Sequence, residues 1–282
     1  MPYITLTVTC PDRRGLVAAL AQFLSQQGAN IIHAEEHRDT TSNLFYQRMQ
    51  FDAAKVDSTS SLEKGLKKLA ARFKMTWRLS YSETLQRVAI FVSKVDHCLY
   101  DLILRQRSRE LRCEIPLIIS NHETLRPVAE QFKIPFHCVP VDKTTREQSE
   151  RAQMELLKQH RIDLVILARY MQVLSAKFVR AWPSRIINIH HSFLPAFAGG
   201  EPYRQALEHG VKLIGATSHY ATANLDEGPI IEQEVARVSH RDQLGDLIAR
   251  GRDLERLVLA RAVRAHLEDR VIVCGKKTIV FS

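Results

Sequence analysis

The stretch I-I-N-I-H-H-S-F-L-P, Ile186 to Pro195, decides the class of fold. It begins as an apolar run and empties directly into an amide, two imidazoles and a proline turn. Comparable apolar runs stand at Val88–Val92, Pro116–Ile119 and Leu164–Leu167. They are separated by segments of helical spacing near Leu99–Arg107, Arg126–Phe132 and Arg146–His160. Nearly continuous apolar strands between helices belong to a parallel sheet covered on both faces. Two longer strand-like stretches follow, Lys212–Tyr220 and Ile230–Val238, and then a helix from about Asp242 to Leu267. Leu244, Leu247, Ile248, Leu254, Leu257 and Val258 mark its buried side. The tail V-I-V-C-G-K-K-T-I-V-F reads as a hairpin turning at Gly275-Lys276.

Toward the N-terminus the rhythm changes. Y-I-T-L-T-V-T, residues 3–9, alternates with period two, and Cys10 to Gly15 supplies a turn with Asp12 as the expected helix cap. Leu16, Leu20, Phe23 and Leu24 recur at helical spacing until Gly28. Ile31–Arg38 and Leu44–Phe51 read as strands across a polar turn, Ser60–Phe73 as a helix and Met75–Tyr81 as a fourth strand. This βαββαβ order is expected to pair its first and last strands centrally, under two helices. A polar join at Ser82–Gln86 sets the expected boundary between a small domain, residues 1–84, and a larger one, residues 85–282.

The 282 residues suit two modest domains, and 45% hydrophobic with 25% charged residues is ordinary for a globular chain with a real core. The net charge of +9 is diffuse: 11 Lys+Arg face 7 Asp+Glu in residues 1–80, and 29 face 24 in the remainder. No clustered basic face or tail is visible, so the charge gives no reason to expect nucleic acid. Five cysteines without a C-x-x-C spacing argue against a disulfide framework. The N-terminus lacks a signal-peptide pattern, and no segment has the length of a membrane span. A cytoplasmic protein without membrane or nucleic-acid partners is expected.

In a doubly wound sheet, ligands sit beyond the carboxyl ends of the strands, which is where Asn188 to His191 fall. Alternation along the strand is expected to send His190 and His191 in different directions, so that only one faces a reacting atom. Asp226, in L-D-E-G-P at Leu225 to Pro229, completes a set of amide, imidazole and carboxylate. Those groups can hold an oxyanion, move a proton and orient the imidazole, as acyl-group chemistry requires. His190, His191 and His219 lack a ligand spacing such as H-E-x-x-H, so no metal is expected.

Three motifs in order, N-I-H-H-S-F-L-P, G-A-T-S-H-Y and L-D-E-G-P-I-I-E-Q, closely resemble the formyltransferase-fold enzymes that use 10-formyltetrahydrofolate, across roughly residues 87 to 270. The resemblance implies catalytic roles for Asn188, His190 and Asp226. It also implies that A-R-Y-M-Q-V-L, Ala168 to Leu174, contacts the folate. Met171, Gln172, Val173 and Leu174, with Ala223, Asn224 and Leu225, then surround the pterin, although Met171, Val173 and Leu174 read equally well as core from the residues alone.

Where the phosphate-binding transferases carry a glycine- and serine-rich loop, this chain has Ser93-Lys94-Val95-Asp96-His97-Cys98-Leu99, without glycine and with a carboxylate at Asp96. That loop, His191 beside His190, and S-N-H at Ser120 to His122 resemble the formyltetrahydrofolate deformylases, which pass the formyl group to water. Asp96 also reads as a helix N-cap. F-A-G-G-E-P-Y, Phe197 to Tyr203, departs slightly from that family's pattern at Gly200-Glu201. C-P-D-R-R-G-L-V-A-A-L with Q-G-A-N-I at Gln27 to Ile31 is similar to ACT domains, which bind small effectors, often amino acids, at paired interfaces.

Together the resemblances imply an α/β chain: a ferredoxin-like βαββαβ (ACT) domain followed by a Rossmann-like formyltransferase domain with a mostly parallel sheet. They imply hydrolysis of 10-formyltetrahydrofolate to formate and tetrahydrofolate, supplying formate and balancing folate pools for purine biosynthesis. Asp96, His191 and His219 join the substrate-binding set, and no cofactor beyond the folate is expected. A homo-oligomer, dimer or tetramer, and an amino-acid effector at the ACT domain, with methionine activating and glycine inhibiting, complete the expectation. A formyltransferase with an unidentified amine acceptor and a catalytically silent amino-acid-responsive regulator remain open alternatives.

Overall fold

The computed structural model describes residues 2–52, 54, 56, 58–142, 144–195 and 201–282. The chain divides into two compact units. One comprises Met1–Leu85 with Asp269–Ile272 and Ile279–Ser282, the other Gln86–Glu268 with Val273–Thr278.

In the first unit, β1 (Tyr3–Pro11), α1 (Leu16–Gln26), β2 (Ile31–Asp39), β3 (Leu44–Asp52), α2 (Thr59–Phe73) and β4 (Thr76–Tyr81) follow the βαββαβ order. Alternation on β1 buries Ile4, Leu6, Val8 and Cys10 against Leu16, Leu20 and Leu24 of α1 and Leu62 and Leu66 of α2. The sheet order is β2-β3-β1-β4, so β1 and β3 are central and β4 is an edge strand. This corrects the expectation that both terminal strands lie centrally. The β1–α1–β2 crossover leaves a gap of one strand, β3 fills it from its hairpin with β2, and β4 takes the free edge of β1. Asp12 does not cap α1 either. Gly15, in the left-handed region at φ 86°, occupies that position, and the Asp12 carboxylate pairs with Arg38 at 2.5 Å.

The C-terminal residues complete this unit. Arg48 is 3% exposed and donates from Nε to the Asp269 carbonyl at 3.0 Å. Burial pushes the Asp269 carboxyl up, while Arg78, Ser80 and Arg48 act against the rise. Glu35 accepts the backbone N–H of Ser282 at 3.0 Å.

In the second unit, β5 (Gln86–Val92), α3 (His97–Arg107), β6 (Cys113–Ser120), α4 (Arg126–Gln131), β7 (Phe136–Cys138), α5 (Arg146–Gln159), β8 (Leu164–Leu167), α6 (Ala176–Ala181) and β9 (Ile186–His190) lead to α7 (Pro202–Glu208). Then come β10 (Leu213–Tyr220), β11 (Ile230–Arg237) and α8 (Leu244–Leu267). The seven strands run β11-β10-β9-β8-β5-β6-β7. The strands β9, β8, β5, β6 and β7 pair in parallel, and β10 and β11 add an antiparallel edge. The order reverses beside β5, which makes the carboxyl ends of β5 and β8 a topological switch point. Phe91, Leu117, Val165 and Leu167 pack with Phe178 and Trp182 in a core beneath the sheet. A last hairpin pairs β12 (Val271–Cys274) with β13 (Lys277–Val280), turning at Gly275 with φ 59°.

Arg48 gives the first unit a buried polar tie to the Asp269 carbonyl, and removing the guanidinium leaves that carbonyl without its donor. Arg48→Met is therefore expected to lower unfolding free energy by about 1–3 kcal/mol, read by urea denaturation. A loss under about 1 kcal/mol would show that the C-terminal tie is dispensable.

Candidate active site

The site is assembled by three adjacent strands. Register sets Leu167 of β8 beside Asn188 of β9, and Asn188 beside His219 of β10, as His190 is beside Thr217. A bulge between Ser218 and His219 shifts the pairing with β11 next to these residues, and bulges re-aim side chains in this way. Asn188, His190 and His219 thereby converge on a cavity of about 290 Å³, and the loop after β10 brings Asp226 to it.

His190 is 5% exposed, with Nδ1 3.2 Å from Oδ2 of Asp226. Hydrogen bonding to His190, with His219 beside it, holds the Asp226 carboxyl far below the usual carboxylate range against the opposing effect of burial. An ionised carboxylate only accepts, so Nδ1 of His190 carries a proton, and in the neutral ring the lone pair lies on Nε2. That Nε2 is buried without a protein partner. His219 is fixed in the same tautomer by a different acceptor. Its Nδ1 lies 3.0 Å from the Tyr220 carbonyl, which must accept, so its Nε2 can receive the Asn188 Nδ2–H at 3.2 Å. The contact spends one N–H of the amide and leaves the second free. His219 Nε2 to Asp226 Oδ1, at 3.7 Å, exceeds hydrogen-bond length.

Backbone geometry aims the carboxylate. Asp226 adopts φ 55°, a left-handed conformation that Asp tolerates better than most residues. Gly228 is obligatory for steric reasons: a Cβ there would lie 1.6 Å from the Tyr220 carbonyl oxygen and 3.0 Å from His219 Nδ1. The L-D-E-G-P turn can therefore close onto β10 only with glycine at its fourth position.

Met171, Gln172, Val173, Leu174, Asn224 and Leu225 line the same cavity, as do His191 and His219. Leu174 belongs to the core. Met171, Val173 and Leu225 instead present exposed apolar surface at 56%, 51% and 62%, which suits a flat ligand more than a closed interior. Ser93 holds this segment, accepting Met171 N–H at 3.0 Å while donating to Asn121 Oδ1 at 2.7 Å. Ala223 and Asp96 are exposed and stand apart from the lining. Asp96 occupies the residue before α3 without a side-chain cap bond. His191 departs from the alternation expected of it. β9 ends at His190, the chain turns, and both rings line the cavity with centroids 5.2 Å apart. Burial, with the Arg169 charge, lowers the His191 pKa to about 4 and keeps it neutral. Of F-A-G-G-E-P-Y, residues 197–200 lie outside the described residues.

Two groups that the sequence does not single out stand beside this set, Arg169 within A-R-Y-M-Q-V-L and Glu255. Arg169 lines the cavity, and its Nε is 3.4 Å from Oε2 of Glu255, a carboxylate only 1% exposed. Glu255 also meets His97 Nε2 at 2.8 Å and accepts the Tyr203 hydroxyl at 2.7 Å. Its signal in the sequence is a carboxylate on the apolar stripe of α8, between Leu254 and Val258. Donor atoms of His97, Cys98 and Glu255 lie within 4.8 Å of one another. The Arg169 charge and the His97 and Tyr203 hydrogen bonds already satisfy the carboxylate, and burial pushes the Cys98 thiol well up, so the trio fits a cation poorly.

Gly228→Ala forces the Tyr220 carbonyl and the Asp226 turn apart. The variant is expected to lose about 1–3 kcal/mol of stability and nearly all turnover. Wild-type turnover in a folded Gly228→Ala protein would show that the turn does not position Asp226.

Residues 86–263 match the Formyl transferase family and residues 4–73 the ACT domain. A formyltetrahydrofolate deformylase of Synechocystis is 56% identical over 99% of this chain and 98% of its own length. One from Bacillus subtilis is 52% identical over 98% and 93%. The crystal structure of a formyltetrahydrofolate deformylase from Pseudomonas syringae superposes with a TM-score of 0.98 at 45% identity, covering 100% of this chain and 95% of that one. Among the described residues, no helix is long and apolar enough to cross a membrane.

Proposed function

The chain belongs to the formyltetrahydrofolate deformylase family, and we propose that its hydrolysis of 10-formyltetrahydrofolate to formate and tetrahydrofolate is carried by Asn188, His190 and Asp226. The observation that carries this reading is the bare, buried Nε2 of His190, backed on its other nitrogen by Asp226 at 3.2 Å.

The formyl carbon is an amide-type electrophile. Water bound at His190 Nε2 gives that nitrogen a proton as its oxygen adds to the carbon, and Asp226 stabilises the imidazolium so formed. The oxyanion takes the free N–H of Asn188, whose partner N–H is fixed by His219. Loss of one such donor costs about 3–4 kcal/mol in comparable sites. His190 then returns its proton to the departing nitrogen, and the carbon–nitrogen bond breaks. Met171, Val173 and Leu225 offer apolar surface to the pterin, with Gln172, Leu174, Asn224 and His191 in supporting binding roles.

In this reading residues 85–282 supply the catalytic domain and residues 1–84 the regulatory and oligomerisation domain, which Asp269–Ile272 and Ile279–Ser282 complete. Pairing of the latter makes a dimer or tetramer and offers a place for an amino-acid effector. The enzyme works in the cytoplasm with no cofactor beyond its folate substrate. Its formate supplies purine biosynthesis while hydrolysis balances the folate pool.

Purified enzyme with 10-formyltetrahydrofolate and no amine is expected to release formate and tetrahydrofolate in equal amounts. Asp226→Asn keeps the left-handed backbone and is expected to lower turnover roughly 10²- to 10⁴-fold while folate still binds. Folate binding with formyl transfer only to an added amine, or wild-type turnover in Asp226→Asn, would refute this reading.

A further inference from the structure

Hydrolysis of a neutral formamide creates an anion. The water oxygen bonds to the formyl carbon, the carbon–nitrogen bond breaks, the nitrogen keeps one proton, and the new carboxylic acid yields the other. Formate then sits with a full negative charge near Asp226, and a buried anion needs a cation or strong donors. Among the described residues lining the cavity, Arg169 alone bears a permanent positive charge, since burial and Arg169 itself keep His191 neutral.

Arg169 follows β8 by two residues, at the strand end that register places beside Asn188 of β9. It adopts φ 62°, which turns the chain just past the strand. Its side chain is 15% exposed, yet Nε and Nη1 are both buried without a hydrogen-bond acceptor. Glu255 supplies charge from 3.4 Å but no hydrogen bond to Nε, while its oxygens meet His97 and Tyr203. Burial pushes the Glu255 carboxyl up, and His97, Arg169 and Tyr203 together hold it below its ordinary range. It is therefore ionised, and it secures the guanidinium without saturating it. Buried donors without acceptors are rare because they are costly, and here two of them belong to a guanidinium that lines the reaction cavity.

We propose that Arg169, held by Glu255, is a small-carboxylate subsite that receives formate as it forms. The proposal rests on the deformylase reading for the origin of its ligand, but its ligand can be tested without folate. Guanidinium matches a planar carboxylate, and Lys, a point charge, reproduces that match poorly.

Thermal unfolding of the full-length enzyme in sodium formate, with sodium chloride at equal ionic strength as control, reads binding directly. Tetrahydrofolate formation with added formate reads product inhibition. Formate, and not chloride, is expected to raise the wild-type Tm and to inhibit turnover. In Arg169→Gln the formate inhibition constant is expected to rise roughly tenfold or more, with loss of the Tm shift. Equal formate effects in wild type and Arg169→Gln, or no formate-specific effect in wild type, would overturn the subsite. If Arg169→Gln does not fold, Arg169→Lys takes its place, with a severalfold weaker formate effect expected and an unchanged one overturning the proposal. Wild type that forms no tetrahydrofolate contradicts the deformylase reading, whereas turnover without any formate-specific effect contradicts the subsite alone.

Discussion

The contact between His190 and Asp226 is the constraint around which the catalytic unit is arranged. A histidine ring in a cavity wall is useful as a base only if the correct nitrogen is bare. Asp226 decides this by accepting from Nδ1 at 3.2 Å. Much of the surrounding structure serves the placement of that carboxylate. The turn closes on the Tyr220 carbonyl because Gly228 has no side chain, and Asp226 itself sits in the left-handed region at φ 55°. The parallel register of β8 and β9 with the antiparallel return of β10 delivers Asn188, His190 and His219 to the same end of the sheet.

A second layer of charge lies beyond that contact. Glu255 on α8, Arg169 after β8, His97 at the start of α3 and Tyr203 on α7 come from four separate elements. They gather around the Glu255 carboxylate, while Nε and Nη1 of Arg169 and Nδ1 of His97 stay buried without a hydrogen-bond partner. Isolated charges of this kind would be destabilising in so buried a place, and each tolerates burial because the others are present. Among the described residues, the cavity lining thus carries one carboxylate, Asp226, and one guanidinium, Arg169, charges suited to a neutral substrate that leaves as an anion.

The strands of the parallel sheet were legible because runs such as Val88–Val92 and Leu164–Leu167 are buried on both faces and carry no competing pattern. The long helix α8 was legible from its apolar stripe. Three short elements escaped: β7 has three residues, and α6 and α7 are only 6 and 7 residues long, whereas α4, also 6 residues, was expected. The edge position of β4 depends on how β3 fills a gap, which no local pattern encodes. Asn188, His190 and Asp226 could be singled out because they sit in segments rich in special residues. Arg169 and Glu255 could not, since their partnership exists only across a separation of 86 positions, 255 minus 169, and each alone resembles an ordinary charged residue. His191 lines the cavity together with His190 because the strand, and with it the alternation, ends one residue before it.

The most direct test of this account is the protonation of the His190 ring, read by nitrogen-15 NMR of the histidine-labelled enzyme at neutral pH. A proton on Nδ1 and a bare Nε2 are expected in the wild type, with that preference lost in Asp226→Asn. A wild-type ring carrying its proton on Nε2 would contradict it, because His190 could then accept nothing from the attacking water.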